Sequence, residues 1–301
     1  MKKYGIGVLT ALLLPACATV KSMDEVTALQ AKHQEEAYKE TKDASFKTHN
    51  GKFSKVYNGK IKRIGILTTS LAWDDKGWRE ASLKERTYFM TPTAALADYR
   101  TVSDAVLNEI KTQLEKQGYE VLTPAQLAEV SPTYKALPEL TAVQAFSPTY
   151  GQEFQGVHAT GSKYIDRLAR EGKILSQIQN ESKVDAFIDF GYNEHNKTAT
   201  EARYKDLDLL GSGGQGTIYF NICVSNEKAK EHGISFGLFG SPNHCGSAQV
   251  EIVAGRYLPS TNYEKSEHFA EAKKVGFEGM KATYTSAARG LIEALDEEFL
   301  K

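Results

Sequence analysis

Apolar residues recur with two different periods along the chain, and these periods predict the elements of a β-sheet domain. The short apolar run at residues 64–67 predicts a strand that is buried on both faces. From Val102 to Leu114 apolar residues recur every four positions, which predicts a helix over residues 101–117 that ends at Gly118. Residues 119–122 predict a second strand, so this region has the order of a parallel β-α-β unit.

The second half of the chain predicts further strands and a closing helix. A helical pattern at residues 162–180 precedes a third predicted strand at 184–191. Strands of antiparallel character are predicted at 198–210, 217–224 and 249–257, with a glycine-rich turn at 211–216 joining the first two. An apolar stripe over residues 267–300 predicts a C-terminal helix. The predicted fold class is therefore α/β (α+β): a single mixed β-sheet with helices packed on it and a long C-terminal helix.

The first seventeen residues have the layout of a secretory signal peptide. Lysines at positions 2 and 3 precede an apolar run at residues 6–14, and small residues follow it. The run is too short to span a bilayer, which needs roughly 20 apolar residues in a helix. Residues 14–17, Leu-Pro-Ala-Cys, resemble a bacterial lipobox, which implies that Cys17 is acylated and becomes the first residue of the mature protein. The alternative is an ordinary secreted protein cut near Ala16 or Ala18, with Cys17 an incidental thiol.

These signals divide the chain into three predicted parts. Residues 1–16 form the signal peptide, residues 17–59 the lipidated cysteine with a flexible tether, and residues 60–301 a single α/β domain. The tether is predicted because its apolar residues form no stripe and its Asn-Gly pairs at 50–51 and 58–59 signal turns. A short helix at residues 25–41 is compatible with this reading.

Composition and charge exclude several classes of partner. The chain is 41% hydrophobic and 25% charged, which is ordinary for a globular protein, and its net charge is −1. It therefore has no overall basic field that would attract nucleic acid. Residues 211–216 match G-x-G-x-x-G in spacing, but a strand rather than a helix is predicted next, so the motif predicts a turn and no nucleotide site.

The three cysteines support one disulfide prediction. If Cys17 carries lipid, Cys223 and Cys245 remain as a pair in an oxidising compartment, where a disulfide is permitted. The alternatives are two free thiols, or Cys223 buried as a small apolar residue of its strand.

Candidate catalytic and metal-binding patterns are weak, so the chain leans away from being an enzyme. The seven histidines have no ligand spacing, there is no G-x-S-x-G elbow, and His244 beside Cys245 would face the opposite side of an extended chain. We predict no metal, no cofactor and no catalytic residue. Aromatic residues in loop-like segments are instead predicted to anchor an interface, the alternative being that they roof the core. They are Trp73, Trp78, Tyr88, Phe89, Phe146, Tyr150 and Phe154.

The strand and helix patterns together resemble a known family outline. The matching positions are the strand at 64–67, the corner residues Ile110, Leu114, Gly118, Tyr119 and Val121, and the strand at 184–191. With the lipobox before them, they resemble a group of periplasmic α/β domains. This group contains the curli-secretion lipoprotein, the lipoprotein activators of penicillin-binding proteins and the N-terminal domain of the Tol–Pal propeller protein. The resemblance implies a non-enzymatic domain that works by protein–protein contact in the cell envelope.

The sequence therefore predicts an envelope lipoprotein that acts as an adaptor or assembly factor. Its expected partners are the membrane, through the N-terminal lipid, and an envelope protein. Ala18 follows Cys17 where an Asp would favour the inner membrane, so the outer membrane facing the periplasm is expected. Two alternatives stay open: a lipoprotein that binds or hydrolyses cell-wall glycan, and a surface-exposed lipoprotein that contacts a host or another cell.

Overall fold

A mixed β-sheet runs through the domain. A computed structural model describes residues 23–48, 53–74, 96–139, 154–163, 173–195, 201–203, 209–234, 243–259 and 269–300. The strands are β1 Lys47–Thr48, β2 Arg63–Asp74, β3 Glu120–Leu122, β4 Phe154–His158, β5 Ala186–His195, β6 Glu201–Arg203, β7 Leu209–Ser225 and β8 Asn243–Pro259. The helices are α1 Met23–Lys42, α2 Phe53–Tyr57, α3 Leu96–Lys116, α4 Pro124–Val130, α5 Pro132–Ala136, α6 Lys173–Ser182, α7 Asn226–Glu231 and α8 Phe269–Leu295.

The sheet joins a parallel half to an antiparallel half. Its order is β1–β8–β7–β5–β2–β3, with β4 on the same edge of β2 as β3, and β6 paired to β7. β2 is parallel to both β3 and β5, whereas β5, β7, β8 and β1 are antiparallel neighbours. The predicted single mixed sheet with packed helices and a long C-terminal helix is confirmed.

The first face of the sheet carries the main core. Helices α1, α3 and α8 lie over it, and the predicted apolar positions of α3 from Val102 to Leu114 are buried. Under them every second residue of β7 from Ile218 to Val224 is fully buried. α3 ends as predicted, because Gly118 takes a φ of 96° that favours glycine. The chain then enters β3, whose first residue pairs with Arg63 at the start of β2.

In the described part of the chain, the helices of the second face lie mainly over the parallel half. Leu67, Phe187 and Leu122 of the sheet pack there against Leu127, Tyr134, Leu175 and Ile178 of α4, α5 and α6. α4 begins with a capping box in which Thr123 and Gln126 exchange hydrogen bonds. Tyr134 fastens α5 to the sheet, because its hydroxyl donates to the Leu67 carbonyl at 2.8 Å.

The predicted flexible tether is wrong over residues 23–48 and 53–57, which belong to the folded domain. α1 buries Ala37 and Thr41 against α8, and the Tyr38 hydroxyl donates to Glu293 at 2.6 Å. α1 and α8 approach closely because glycines of α8 lie at their contact. A Cβ at Gly290 would stand 2.5 Å from the Tyr38 carbonyl oxygen, and one at Gly279 would overlap Gln30. α2 also joins the core, since Phe53 and Tyr57 are almost fully buried.

The predicted glycine-rich turn is also wrong. Residues 211–216 lie inside β7, where they pair with β8 along their whole length and with β6 over residues 211–212. Pairing with β8 throughout, with β6 at residues 211–212 and with β5 at residues 215–216 supplies backbone hydrogen bonds that compensate for the weak strand preference of glycine. Within the predicted strand at 198–210, the described residues form β6 at Glu201–Arg203 and the beginning of β7 at Leu209.

The helices of the first face run in one direction and define an end of the molecule. Gln30 meets Gly279 and Thr41 meets Gly290, so α1 and α8 are parallel. α3 follows the same course, with Tyr99 beside Phe277 and Gln117 beside Ile292. Since α3 ends at the start of β2, all three helices begin at the end where β2 and β5 finish.

The two longest strands continue past this end. β5 stops where His195 pairs with Gln215, but β7 and β8 remain paired through residues 209–214 and 254–259. We call these paired segments the arm. Six residue pairs of a strand extend roughly 20 Å, so the arm projects well beyond β5.

Candidate functional site

The second face of the antiparallel half is the candidate site, and we call it the open face. Along β7, buried residues such as Phe220 alternate with residues whose side chains lie on the second face. β8 repeats this alternation. The open face consists of Tyr219, Asn221, Ser247, Gln249 and Glu251, which are exposed or half-buried.

Tyr219 is the centre of the open face. Its side chain is 38% exposed, and the only other large apolar side chain exposed in the described part of the chain is Val130, at 41%. Gln249 lies directly across from Tyr219 on β8, and Gly191 lies across from it on β5. Because Gly191 has no side chain, bare backbone borders the ring on that side.

In the described part of the chain, the helices of the second face pack mainly on β2, β3 and β5, and α6 meets β7 near its end, where the Ser225 N–H donates to Gln179 at 3.0 Å. The apolar cluster of α4, α5 and α6 includes Phe187 of β5, but none of its described members comes from β7 or β8. A sheet face that is exposed to solvent carries polar residues at alternate strand positions, and β7 and β8 show this pattern.

A disulfide closes one end of the open face. Cys223 and Cys245 lie opposite each other with Cα atoms 4.1 Å apart, and their sulfurs are bonded at 2.11 Å. His244, next in the chain, lies fully buried on the other face, with Nδ1 3.1 Å from the Tyr57 hydroxyl. Cys245 and His244 therefore point in opposite directions, as the sequence predicts, and form no catalytic pair.

The titratable groups displaced most strongly near the parallel half are buried and serve packing. Burial, with the positive charge of Arg100, lowers the pKa of His158 to about 4, so this imidazole is neutral near pH 7. Burial also raises the pKa of Tyr134, and the Asp189 charge adds to it, so its hydroxyl stays a donor. These protonation states suit fixed hydrogen bonding and do not suit proton transfer.

Metal-ligand clusters and membrane-spanning helices are both absent from the residues that the structure describes. In the part of the chain that the structure covers, no three His, Cys, Asp or Glu side chains come together as a metal site requires. None of the described helices combines the length and the apolar content needed to span a membrane.

Of the seven predicted interface aromatics, the structure describes two, Trp73 and Phe154. Trp73 of β2 pairs with Gln155 of β4, and Phe154 pairs with Asp74, so two of them lie at adjacent positions of one strand pair. The remaining predicted residues lie outside the described residues: Trp78, Tyr88, Phe89, Phe146, Tyr150 and the lipidation candidate Cys17.

Tyr219 itself is a functional candidate that the sequence reasoning missed. A signal was present, because in residues 217–224 Tyr219 shares its alternate position with Thr217 and Asn221 rather than with the buried apolar set. When an aromatic residue shares the alternate positions of a strand with polar residues, its side chain is expected to be exposed to solvent. No protein-family model and no curated protein sequence matches this chain.

Proposed function

We propose that this chain is a lipid-anchored protein of the bacterial envelope that acts as a non-enzymatic adaptor or assembly factor. It binds another envelope protein through the open face. The observation that carries this proposal is the exposed ring of Tyr219 on a sheet surface whose apolar contacts with helices, among the described residues, lie elsewhere.

The chemistry of the open face suits protein recognition. Tyrosine is enriched among the residues that dominate binding energy, because it buries a large rigid ring and offers a hydroxyl. Around it stand amide, hydroxyl and carboxylate groups, from Asn221, Gln249, Ser247 and Glu251. Such groups form the polar rim that surrounds an apolar centre in protein interfaces.

The same groups offer little to catalysis. General acid–base catalysis needs a group with a pKa near the working pH, held within reach of a substrate. The described groups with strongly displaced pKa values lie away from the open face: His158, Tyr134, Tyr57 and Tyr119. The resemblance to periplasmic adaptor domains favours the same conclusion.

The proposal is tested by crosslinking in intact envelopes. A photo-reactive amino acid is placed at Gln249 of the lipidated chain, with a second chain carrying it at Gln177, an exposed residue of α6, as the control. We expect one protein adduct from position 249, lost when Tyr219→Ala is added and kept when Val130→Ala is added. An adduct that Tyr219→Ala leaves unchanged would contradict the open face as the binding surface. Retention of peptidoglycan with no protein adduct at either position would reject the adaptor function.

A further inference from the structure

We propose that the protein partner of the open face binds as an added β-strand along the outer edge of β8. The partner segment is extended and carries a basic side chain beside Glu251. The inference rests on the proposed function, because it specifies how the partner of the open face is held. It assigns a second part of the same site, which is the backbone of β8 at Gln249 and Glu251.

The outer side of β8 is an edge of the described sheet. β8 pairs with β7 over its whole length, Asn243–Pro259. On the other side of β8 the described residues supply only β1, which pairs with Gly246 and Ser247. From Ala248 onward no described strand pairs with this side. A strand edge of this kind is a template for pairing with another chain.

The pairing of β7 with β8 determines which residues direct their backbone groups toward this edge. Antiparallel pairs alternate between hydrogen-bonded pairs, with Cα atoms about 5.5 Å apart, and closer pairs without hydrogen bonds, about 4.5 Å apart. The Cα atoms of Cys223 and Cys245 are 4.1 Å apart, so this pair is of the second kind. Cys245 therefore directs its N–H and C=O groups away from β7.

An independent contact gives the same alternation. Ser225 pairs with Asn243, two positions along each strand from the disulfide. The Ser225 N–H donates to the Gln179 side chain of α6 at 3.0 Å and not to β8. This is the orientation of a pair without hydrogen bonds, so both observations assign the same alternation to β7 and β8.

The alternation leaves two residues of β8 with outward backbone groups beside the open face. The register has no shift from Cys245 to Glu251, so every second residue repeats the orientation of Cys245. The first of them, Ser247, lies opposite Lys47 of β1. The next two, Gln249 and Glu251, direct their N–H and C=O groups to the side where no described strand lies. The backbone of β8 continues this edge along the arm.

The same two residues contribute side chains to the open face. Gln249 and Glu251 are exposed, and Gln249 lies directly across from Tyr219. A strand added beside β8 would lie about 4.8 Å from it and would place every second side chain on the open face. The partner's backbone then binds the edge while its side chains extend the surface that contains Tyr219. Peptides that add a strand to a sheet combine affinity and specificity in this way.

Charge selects the chemistry of the added strand. Glu251 is exposed and forms no ion pair with a described residue. An opposite charge on the neighbouring strand stabilises a sheet, so a Lys or Arg of the partner fits beside it. A second copy of β8, paired antiparallel about Gln249 and Glu251, would place two Glu251 carboxylates on one face of neighbouring strands. Like-charge repulsion disfavours that pairing and favours a different, basic partner.

The first test measures backbone hydrogen exchange in the isolated full-length chain by nuclear magnetic resonance. Val250 and Ile252 are the matched controls, because they lie in hydrogen-bonded pairs with β7. We expect the N–H groups of Gln249 and Glu251 to exchange about 100-fold faster than those of the controls. Equally slow exchange at all four positions would overturn the inference, since another part of the chain would already occupy the edge.

The second test uses the photo-reactive amino acid at Gln249 in intact envelopes, combined with Glu251→Pro or Glu251→Ala. Proline removes the outward N–H and leaves the pairing with β7, which does not use that group. Alanine keeps the N–H and removes only the charge. We expect Glu251→Pro to abolish the protein adduct and Glu251→Ala to reduce it about two- to fivefold. Circular dichroism of both variants checks that the sheet is retained.

The outcomes separate this inference from the proposed function. An adduct that survives Glu251→Pro in a folded chain would overturn the added strand and leave the open face as the binding surface. An adduct with the mass of two copies of this chain would overturn the different, basic partner. No protein adduct in the parent chain would reject the proposed function and the added strand with it. If Glu251→Pro does not fold, the hydrogen exchange of Gln249 and Glu251 decides the inference.

Discussion

Among the residues that the structure describes, helices pack on both faces of the parallel half of the sheet, β3–β2–β5, whereas on the antiparallel half, β7–β8, they pack mainly on one face. In the covered half, adjacent residues such as Ile66 and Leu67 are both buried, each in its own apolar cluster. In β7, Phe220 is buried while Tyr219 beside it is exposed. This difference is the basis for our proposal that the antiparallel half provides the surface for recognition, while the parallel half forms a core that is packed on both faces.

The largest expected effect separates these two neighbours on β7. Phe220→Ala removes a fully buried ring that packs against Phe46, so we expect the free energy of unfolding to fall by about 3–5 kcal/mol. Tyr219→Ala removes an exposed ring and should cost less than about 1 kcal/mol. Urea denaturation of both variants measures the two values. Similar losses for both would show that Tyr219 is part of the core and would remove the contrast between the faces.

The second effect concerns histidines in the two halves. Burial and the charge of Arg100 lower the pKa of His158 to about 4, against 6.5 in an exposed chain. Below pH 6.5, His158 binds a proton in the unfolded chain but stays neutral in the folded chain. The free energy of unfolding therefore falls as the pH drops from 6.5 to about 4. The loss attributable to His158 is roughly 3 kcal/mol at the lower pH.

Proton titration of the imidazoles by nuclear magnetic resonance measures this directly. His232, in the connection between β7 and β8, also has a lowered pKa, caused by partial burial and by Lys60 and Lys228. Because His232 is less buried than His158, we expect it to titrate at a higher pH than His158. Titration of His158 near 6.5 would mean that water reaches the parallel half.

The smallest expected effect is on the contact between the parallel helices α1 and α8, which pack over the first face. In Gly290→Ala the added Cβ would lie 2.5 Å from the Tyr38 carbonyl oxygen and 2.9 Å from the Lys42 nitrogen, both backbone atoms. We expect a loss of about 1–3 kcal/mol from overpacking, although alanine favours helices over glycine. Thermal unfolding measures it, with Glu278→Ala on the exposed side of α8 as the control. Unchanged or higher stability would contradict the close helix contact.

The sequence predicts best those elements whose burial depends on their own apolar residues. α3 and β2 bury long apolar side chains at regular spacing, so their period is visible in the sequence. α1 buries Ala37 and Thr41 against glycines of α8, and this contact leaves no apolar stripe in α1. The partner that explains it lies at the other end of the chain.

Two other features were not predicted, the strand at residues 211–216 and the exposure of Tyr219, and they have similar causes. Glycines at 211–216 suggest a turn when the residues are considered alone, but here neighbouring strands hold them extended. Tyr219 belongs to a strand that is strongly apolar overall, so its exposure becomes evident only when the alternate positions are compared. In both cases the deciding influence is a tertiary neighbour, which local patterns do not record.

The contact between α1 and α8 also bears on the order in which the domain is completed. The hydrogen bond from Tyr38 to Glu293 joins residues 255 positions apart, close to the full length of the described chain. An exported chain emerges with its N-terminus first, so α1 is present long before the helix that holds it. If the chain is exported as we propose, the first face can close only after α8 has crossed the membrane. In the proposed lipoprotein, folding is therefore finished on the far side of the bilayer, with α8 as the final component to dock.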